Sequence, residues 1–222
     1  MAETRHAKRS TALHDYVLDH NPPPDPVQRE LIANTRAQLP DHAEMQVAQE
    51  QGPLLAFLVR LTGARHIVEI GTFTGLSALC MAQALPPEGK LIACDVSAEW
   101  TAYGRAAWEE AGVADRIELR IAPALETLRA MPSEPHIDLA FVDADKPGYL
   151  AYWEELVPRM RPGGLIAVDN VLYGGEVVNP SSASVNGAAI HAFNEHVRAD
   201  SRVDSVLLEV ADGLTLARRR EQ

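Results

Sequence analysis

The sequence predicts an α/β fold built on a mostly parallel, seven-stranded sheet whose last strand runs antiparallel. Three observations lead there. After Gly63, short apolar runs and helix-patterned segments alternate five times in succession, the pattern of a parallel sheet covered by helices on both faces. Two further strand-like runs, VDSVLLEV and LTLARR, are separated only by Ala211-Asp212-Gly213; a parallel crossover needs a dozen or more residues, so these two form an antiparallel hairpin. Finally, 222 residues at 46% apolar content suffice for one sizeable core, and a single domain over residues 1–222 is expected.

The elements follow in order. Residues 1–40 are polar and broken by NPPPDP, whose prolines impose extended backbone; this stretch reads as an appendage near the substrate site or a dimer interface. Asp25-Pro26 is a helix start, with helix running to about Leu39. From Glu50 to Leu61, Leu54, Leu55, Leu58 and Leu61 recur at helical spacing and are expected to pack on the core. Then come HIVEIG and a helix from about Gly75, KLIACDV and a helix from Ala98, and IELRIA with ALETLRAM. IDLAFVDA, a helix from Pro147 to Met160, and GLIAVDN complete the parallel part. Residues 174–187, rich in Gly, Ser and Asn, read as a loop, and its position directly after a strand end favours a substrate-gating role.

Charge excludes some partners. The formal net charge of −11 repels phosphate backbones, and the basic cluster Arg218-Arg219-Arg220 is too short for a nucleic-acid face. No nucleic acid and no membrane are expected; the start MAETRHAKRS lacks a signal peptide's apolar core, and no apolar run approaches the roughly 20 residues of a membrane span. Cys80 and Cys94 sit in apolar runs without CxxC spacing, which fits core packing in a reducing, cytoplasmic compartment.

Ligands of open α/β sheets sit beyond the carboxyl ends of the strands. The polar residues there are Glu69, Gly71, Asp95, Asp143, Asp145, Asp169 and Asn170. EIGTFTGLS has Gly71 and Gly75 in G-x-x-x-G spacing, not the G-x-G-x-x-G that brings backbone against a pyrophosphate. Asp95 ends the next strand, where a carboxylate can accept both ribose hydroxyls of a nucleoside. Together these point to an adenosine ligand without pyrophosphate. Asp143 and Asp169 end successive parallel strands and should project side by side, with Asn170 adding a neutral oxygen. Such an oxygen set suits a hard cation such as Mg²⁺ rather than zinc, and a cation relieves the repulsion between the carboxylates. An amine beside a dication gives up its proton more readily, so Lys146 suits the role of general base.

With EIGTFTGLS, the Asp95 strand end, APALETL, DLAFVDADKPGY, RPGGLIAVDNVLYGGEV and DGLTLARR in place, the chain resembles the cation-dependent, catechol-type O-methyltransferases of the caffeoyl-coenzyme A family, especially small bacterial members, from about Met45 to Arg218. The resemblance implies a Rossmann-like class I S-adenosylmethionine-dependent methyltransferase fold and a homodimer. It implies Asp143, Asp169 and Asn170 as ligands of Mg²⁺, or of Mn²⁺ or Ca²⁺, with Lys146 as catalytic base. It also implies that Met45, Val47, Glu69, Gly71, Ser77, Asp95, Ala124, Asp143 and Asp145 contact S-adenosyl-L-methionine. Tyr173 stands where many relatives have tryptophan, which assigns it to acceptor binding. The expected reaction is methyl transfer to one oxygen of a vicinal phenolic diol, a small catechol-type molecule. Two other readings are an aspartyl-nucleophile phosphotransferase, because an apolar strand followed by Asp-x-Asp also occurs there, and a non-catalytic nucleoside-binding module.

Overall fold

The computed structural model describes residues 10–221. Strands β1 (His66–Ile70), β2 (Lys90–Asp95), β3 (Ile117–Ile121), β4 (Ile137–Val142), β5 (Met160–Asp169), β6 (Val203–Leu208) and β7 (Leu214–Arg219) form one sheet in the order β3-β2-β1-β4-β5-β7-β6. β1 to β5 are parallel, and β7 is antiparallel to both its neighbours. The predicted fold class is thus the observed one. Sequence order hid one detail: β7 inserts between β5 and β6, leaving β6 at the edge. Burial explains the swap, since Leu214, Thr215 and Ala217 of β7 are buried while five of six β6 residues are exposed.

The helices run from α1 (Thr11–Asp19), which buries none of its residues, to α8 (Val185–Ala199). Alternate strand residues face opposite ways: Ile67, Leu139, Phe141 and Ala167 pack with α3 (Gln51–Thr62), α4 (Leu76–Ala84) and α5 (Ala98–Glu110). Val68, Ile70, Ala140, Val142, Ile166 and Val168 pack with α6 (Ala124–Ala130), α7 (Tyr149–Arg159) and α8. Two buried faces account for strands that read as almost continuous apolar runs. Cys80 and Cys94 are both buried and free, and burial pushes each thiol up to about 12. Among the described residues, no helix is long and apolar enough to cross a membrane.

α2 (Pro26–Gln38) starts where Asp25-Pro26 predicts, with a capping box between Asp25 and Gln28. Those two caps also bond Gln83 of α4, each at 2.7 Å, and Leu31 and Thr35 are buried. In α3, Leu55, Leu58 and Val59 form the buried stripe. Leu61, expected to pack inward, is 67% exposed; it continues the Leu54, Phe57 row at i, i+3, i+7, which lies on the outer shoulder of the helix.

Two expected boundaries change. The helix expected from Pro147 to Met160 is a 3-10 turn, Lys146–Gly148, followed by α7, and Met160 already belongs to β5, paired with Ile137. The expected loop over 174–187 is largely ordered turn and helix: a 3-10 segment spans Tyr173–Val178, and α8 begins at Val185. Ser184 caps α8 by accepting the Gly187 N–H, while Glu176 Oε2 accepts from the Ser184 N–H and hydroxyl, both at 2.7 Å. Polar composition resembled a loop because these side chains serve as caps.

Candidate active site

After β1 the chain moves outward to β2 and β3, then returns to place β4 on the other side of β1. Successive connections diverge at this switch point, which opens a crevice at the carboxyl ends. A cavity of about 1110 Å³ lies there. Met45, Val47, Gly71, Ser77, Asp95, Ala124, Asp143, Asp145, Lys146, Asp169, Asn170 and Tyr173 all line it. Glu69 does not; it is wholly buried behind the wall.

At one end the turn after β1 is shaped by glycine. Gly71 has φ +87°, and a Cβ there would overlap the backbone carbonyl of Asp143. Asp95 secures the same turn. Its Oδ2 accepts from the N–H groups of Thr72 (3.0 Å) and Phe73 (2.7 Å), and its Oδ1 from Ser97 (2.8 Å). The carboxylate expected to meet a ribose is therefore also the clamp of the loop, with one of its roughly four acceptor positions left over. Phe73 packs edge-on against Trp100, which in turn meets His42, both with ring centres 5.3 Å apart. This aromatic wall flanks Asp95.

Beneath the turn, Glu69 Oε2 accepts the Thr72 hydroxyl at 2.8 Å, whereas buried Oε1 has no hydrogen-bond partner. Burial pushes the Glu69 carboxyl up to about 7, opposed by the Ser77 and Thr72 hydroxyls and reinforced by the charges of Asp95 and Asp143.

At the other end, the register Val142↔Val168 makes Asp143 and Asp169 neighbours, as expected from the two strand ends. Lys146 Nζ donates to Asp143 Oδ1 (3.0 Å), Asn170 Oδ1 (2.7 Å) and the Tyr149 hydroxyl (2.7 Å), so all three of its hydrogens are used. Tyr149, buried, donates onward to the Asp169 backbone carbonyl at 3.1 Å. Asp169 is buried, and burial together with the Asp143 charge raises its carboxyl above the usual range; the Gln51 side chain, the Asn170 N–H and Lys146 pull the other way. Two oxygen atoms here, from Asp143 and Asn170, already embrace a positive nitrogen, and a buried carboxylate lies next to them. Such a set fits a hard divalent cation.

Sequence reading missed several contributors. Tyr149 supports Lys146 from the next turn, an i, i+3 relation. Tyr152 donates to Asp145 Oδ1 at 2.5 Å, and Asn186 donates to the Tyr173 hydroxyl at 2.8 Å. Gln51, 2% exposed, lines the cavity; its Oε1 accepts from the Ala48 N–H at 2.8 Å, which leaves its amide N–H groups facing Asp169. No periodicity marks a glutamine at a helix start as a site residue. One backbone signal was also invisible: the four non-glycine residues with positive φ among those described, Phe73, Asn170, Tyr173 and Ala211, all line this cavity. Strained backbone gathers at functional sites. Away from the cavity, Glu154, His196 and Asp200 lie close together, but Arg202 bonds both carboxylates, so an ion-pair network accounts for them.

The sequence matches the O-methyltransferase family over residues 22–220. The chain belongs to that family. Caffeoyl-CoA O-methyltransferase 2 of Zea mays is 37% identical over 235 residues, covering 98% of this chain and 89% of the relative. The O-methyltransferase TomG of Streptomyces achromogenes, involved in tomaymycin synthesis and solved with SAM, superposes with a TM-score of 0.86 at 32% identity, covering 95% of this chain and 96% of that one. The Bacillus cereus O-methyltransferase, solved with SAH, gives 0.85 at 34% identity, covering 95% and 98%. An O-methyltransferase activity accords with the cavity, whose ends divide between a nucleoside-type turn and an oxygen cluster with an amine.

Proposed function

We propose that the chain transfers the methyl group of S-adenosyl-L-methionine to one oxygen of a vicinal phenolic diol and that it uses a divalent cation, Mg²⁺ or a similar hard ion. The observation that carries this reading is the cluster of Asp143, Asp169, Asn170 and Lys146 at one end of the cavity that Gly71 and Asp95 close at the other. Membership of the family and the similarity to proteins named for caffeoyl-CoA methylation support it. A cytoplasmic location, argued from the two free cysteines, and a homodimer, implied by the resemblance, belong to the same reading.

In this reading, the turn held by Asp95 presents backbone to the nucleoside, and Ser77 and Ala124 line its side of the cavity. Phe73 and Trp100 shield that end from water. Asp143, Asp169 and Asn170 hold the cation. When bound, the donor supplies an electrophilic methyl group and the cation supplies positive charge that favours phenolate over phenol. Lys146 accepts the phenolic proton at Nζ; to do so it first gives up one of its three hydrogens, and Tyr149 and Asn170 keep the nitrogen in place while it does. Tyr173, fixed by Asn186, stands on the acceptor side. The protein's main contribution is to align the two reactants, which can supply several kcal/mol of barrier reduction. A phosphotransferase is not favoured, because the O-methyltransferase family match runs over residues 22–220.

Two variants separate the ends of the site. Asp169→Ala should lose at least 100-fold in methyl transfer while keeping SAH affinity in cation-free buffer within about threefold, and Asp95→Ala should weaken SAH first. Equal loss of SAH binding in both, with folding intact by circular dichroism, would refute the two-ended site.

A further inference from the structure

The charge around the cavity narrows the acceptor. Among the described residues lining it, Lys146 is the one lysine or arginine, and its hydrogens are engaged by Asp143, Tyr149 and Asn170. The segments 41–51, 173–187 and 209–213, each of which supplies lining residues, contain no lysine or arginine. They do bring Asp41, Glu44 and Asp212 into the lining, the first two solvent-exposed and the third half-buried. A dication held at the inner end is balanced by the carboxylates of Asp143 and Asp169, and the single net positive charge of S-adenosylmethionine does not cancel the three acids Asp41, Glu44 and Asp212. A coenzyme A thioester carries three phosphate groups, which are ordinarily met by Arg and Lys side chains. Like charges within a Debye length of about 8 Å repel at physiological salt, and among the described lining residues no lysine or arginine other than the engaged Lys146 offsets that repulsion.

Resting on the methyl-transfer reading above, we propose that the acceptor of this enzyme is a vicinal phenolic diol without phosphate, neutral or cationic overall, and that polyanionic thioesters are poor acceptors. The chain then shares its reaction with relatives named for caffeoyl-CoA but not their acceptor charge. Rim acids act here on encounter and binding, so the discrimination lies in KM rather than kcat.

The test is a charge series on one ring: a catechol bearing an amine, one with a neutral side chain, one with a carboxylate, and the coenzyme A thioester of that acid. kcat/KM is measured for each with Mg²⁺ at about 0.02 and 0.3 M salt, across which screening changes strongly. The thioester should fall at least tenfold below the amine and the neutral diol at low salt, with the gap carried by KM and narrowed at high salt. Measured at saturating S-adenosylmethionine, because both positions flank Met45 at the donor end, an Asp41→Asn, Glu44→Gln double variant should raise the thioester's kcat/KM relative to the neutral diol's. A thioester that equals or exceeds the neutral diol, or an order unmoved by salt and by the double variant, overturns the proposal. No turnover of any of the four removes the methyl-transfer reading itself, and this inference with it.

Discussion

Lys146 holds three acceptors with three hydrogens, an arrangement that would serve equally well for positioning or for proton transfer, and mutation separates these. Lys146→Ala should lower kcat at least 100-fold with little effect on acceptor KM, and the deficit should shrink as pH rises toward the phenol's own pKa, about 10 for a simple phenol, because hydroxide then does the lysine's work. A deficit that stays constant from pH 7 to 9.5 would make Lys146 a positioning residue. Glu69 supports a second residue-scale prediction. Its folded pKa of about 7 lies above the ordinary 4.5, so folding takes up a proton between those values. The stability linked to the neutral form is whole below about pH 4.5 and is lost as pH rises through about 7. Glu69→Gln keeps the shape and removes the titration. Between pH 4.5 and 7.5, the unfolding free energy of the wild type should fall relative to the variant's by on the order of 2–3 kcal/mol. Urea unfolding of ligand-free, cation-free protein measures this; parallel pH curves for the two proteins would contradict the buried, partly unsatisfied carboxyl.

At the scale of elements, the site depends on where strands stop. β1 stops before Gly71, β2 at Asp95, β4 before Asp143 and β5 at Asp169, and the close approach of Gly71 to the Asp143 backbone holds the turn after β1 against the end proposed for the cation. Gly71→Ala should therefore damage both. The backbone conformation alone costs about 1–3 kcal/mol for a residue with a side chain, and the overlap of its Cβ with the Asp143 carbonyl adds to it. The expected result is loss of SAH binding together with a fall in thermal midpoint of several degrees; a variant with unchanged midpoint and SAH affinity would show that the turn has room the structure does not display. Strand ends were legible in the sequence because apolar runs stop abruptly at Gly, Asp or Asn, and register then follows from parallel pairing. The segment 173–185 was not, because Glu176 and Ser184 are spent on capping, and composition cannot distinguish a cap from a loop.

Across the whole molecule, the order β3-β2-β1-β4-β5-β7-β6 follows from the alternating pattern and the short 211–213 turn, except for the insertion of β7. Which hairpin strand lies inside depends on burial against α8 and the sheet, a tertiary property that two similar apolar runs do not reveal. The same limit explains the site. Residues at strand ends were assigned by sequence, while Gln51, Tyr149 and Asn186 arrive from helices whose relative placement only the fold determines. Glu69, assigned to the cofactor by resemblance, lies behind the cavity wall, because the alternation along β1 directs it inward.

In the proposed reaction, one cavity combines a sulfonium donor, a hard cation and a vicinal diol. The most direct measurement is product formation by chromatography from S-adenosylmethionine and matched ortho-, meta- and mono-hydroxy phenols, with and without a chelator. The expected result is mono-O-methyl product from the ortho diol, at least 50-fold above the meta and mono compounds, abolished by chelator and restored by Mg²⁺. Comparable rates on all three phenols, or undiminished methylation of the ortho diol in chelator, would contradict it.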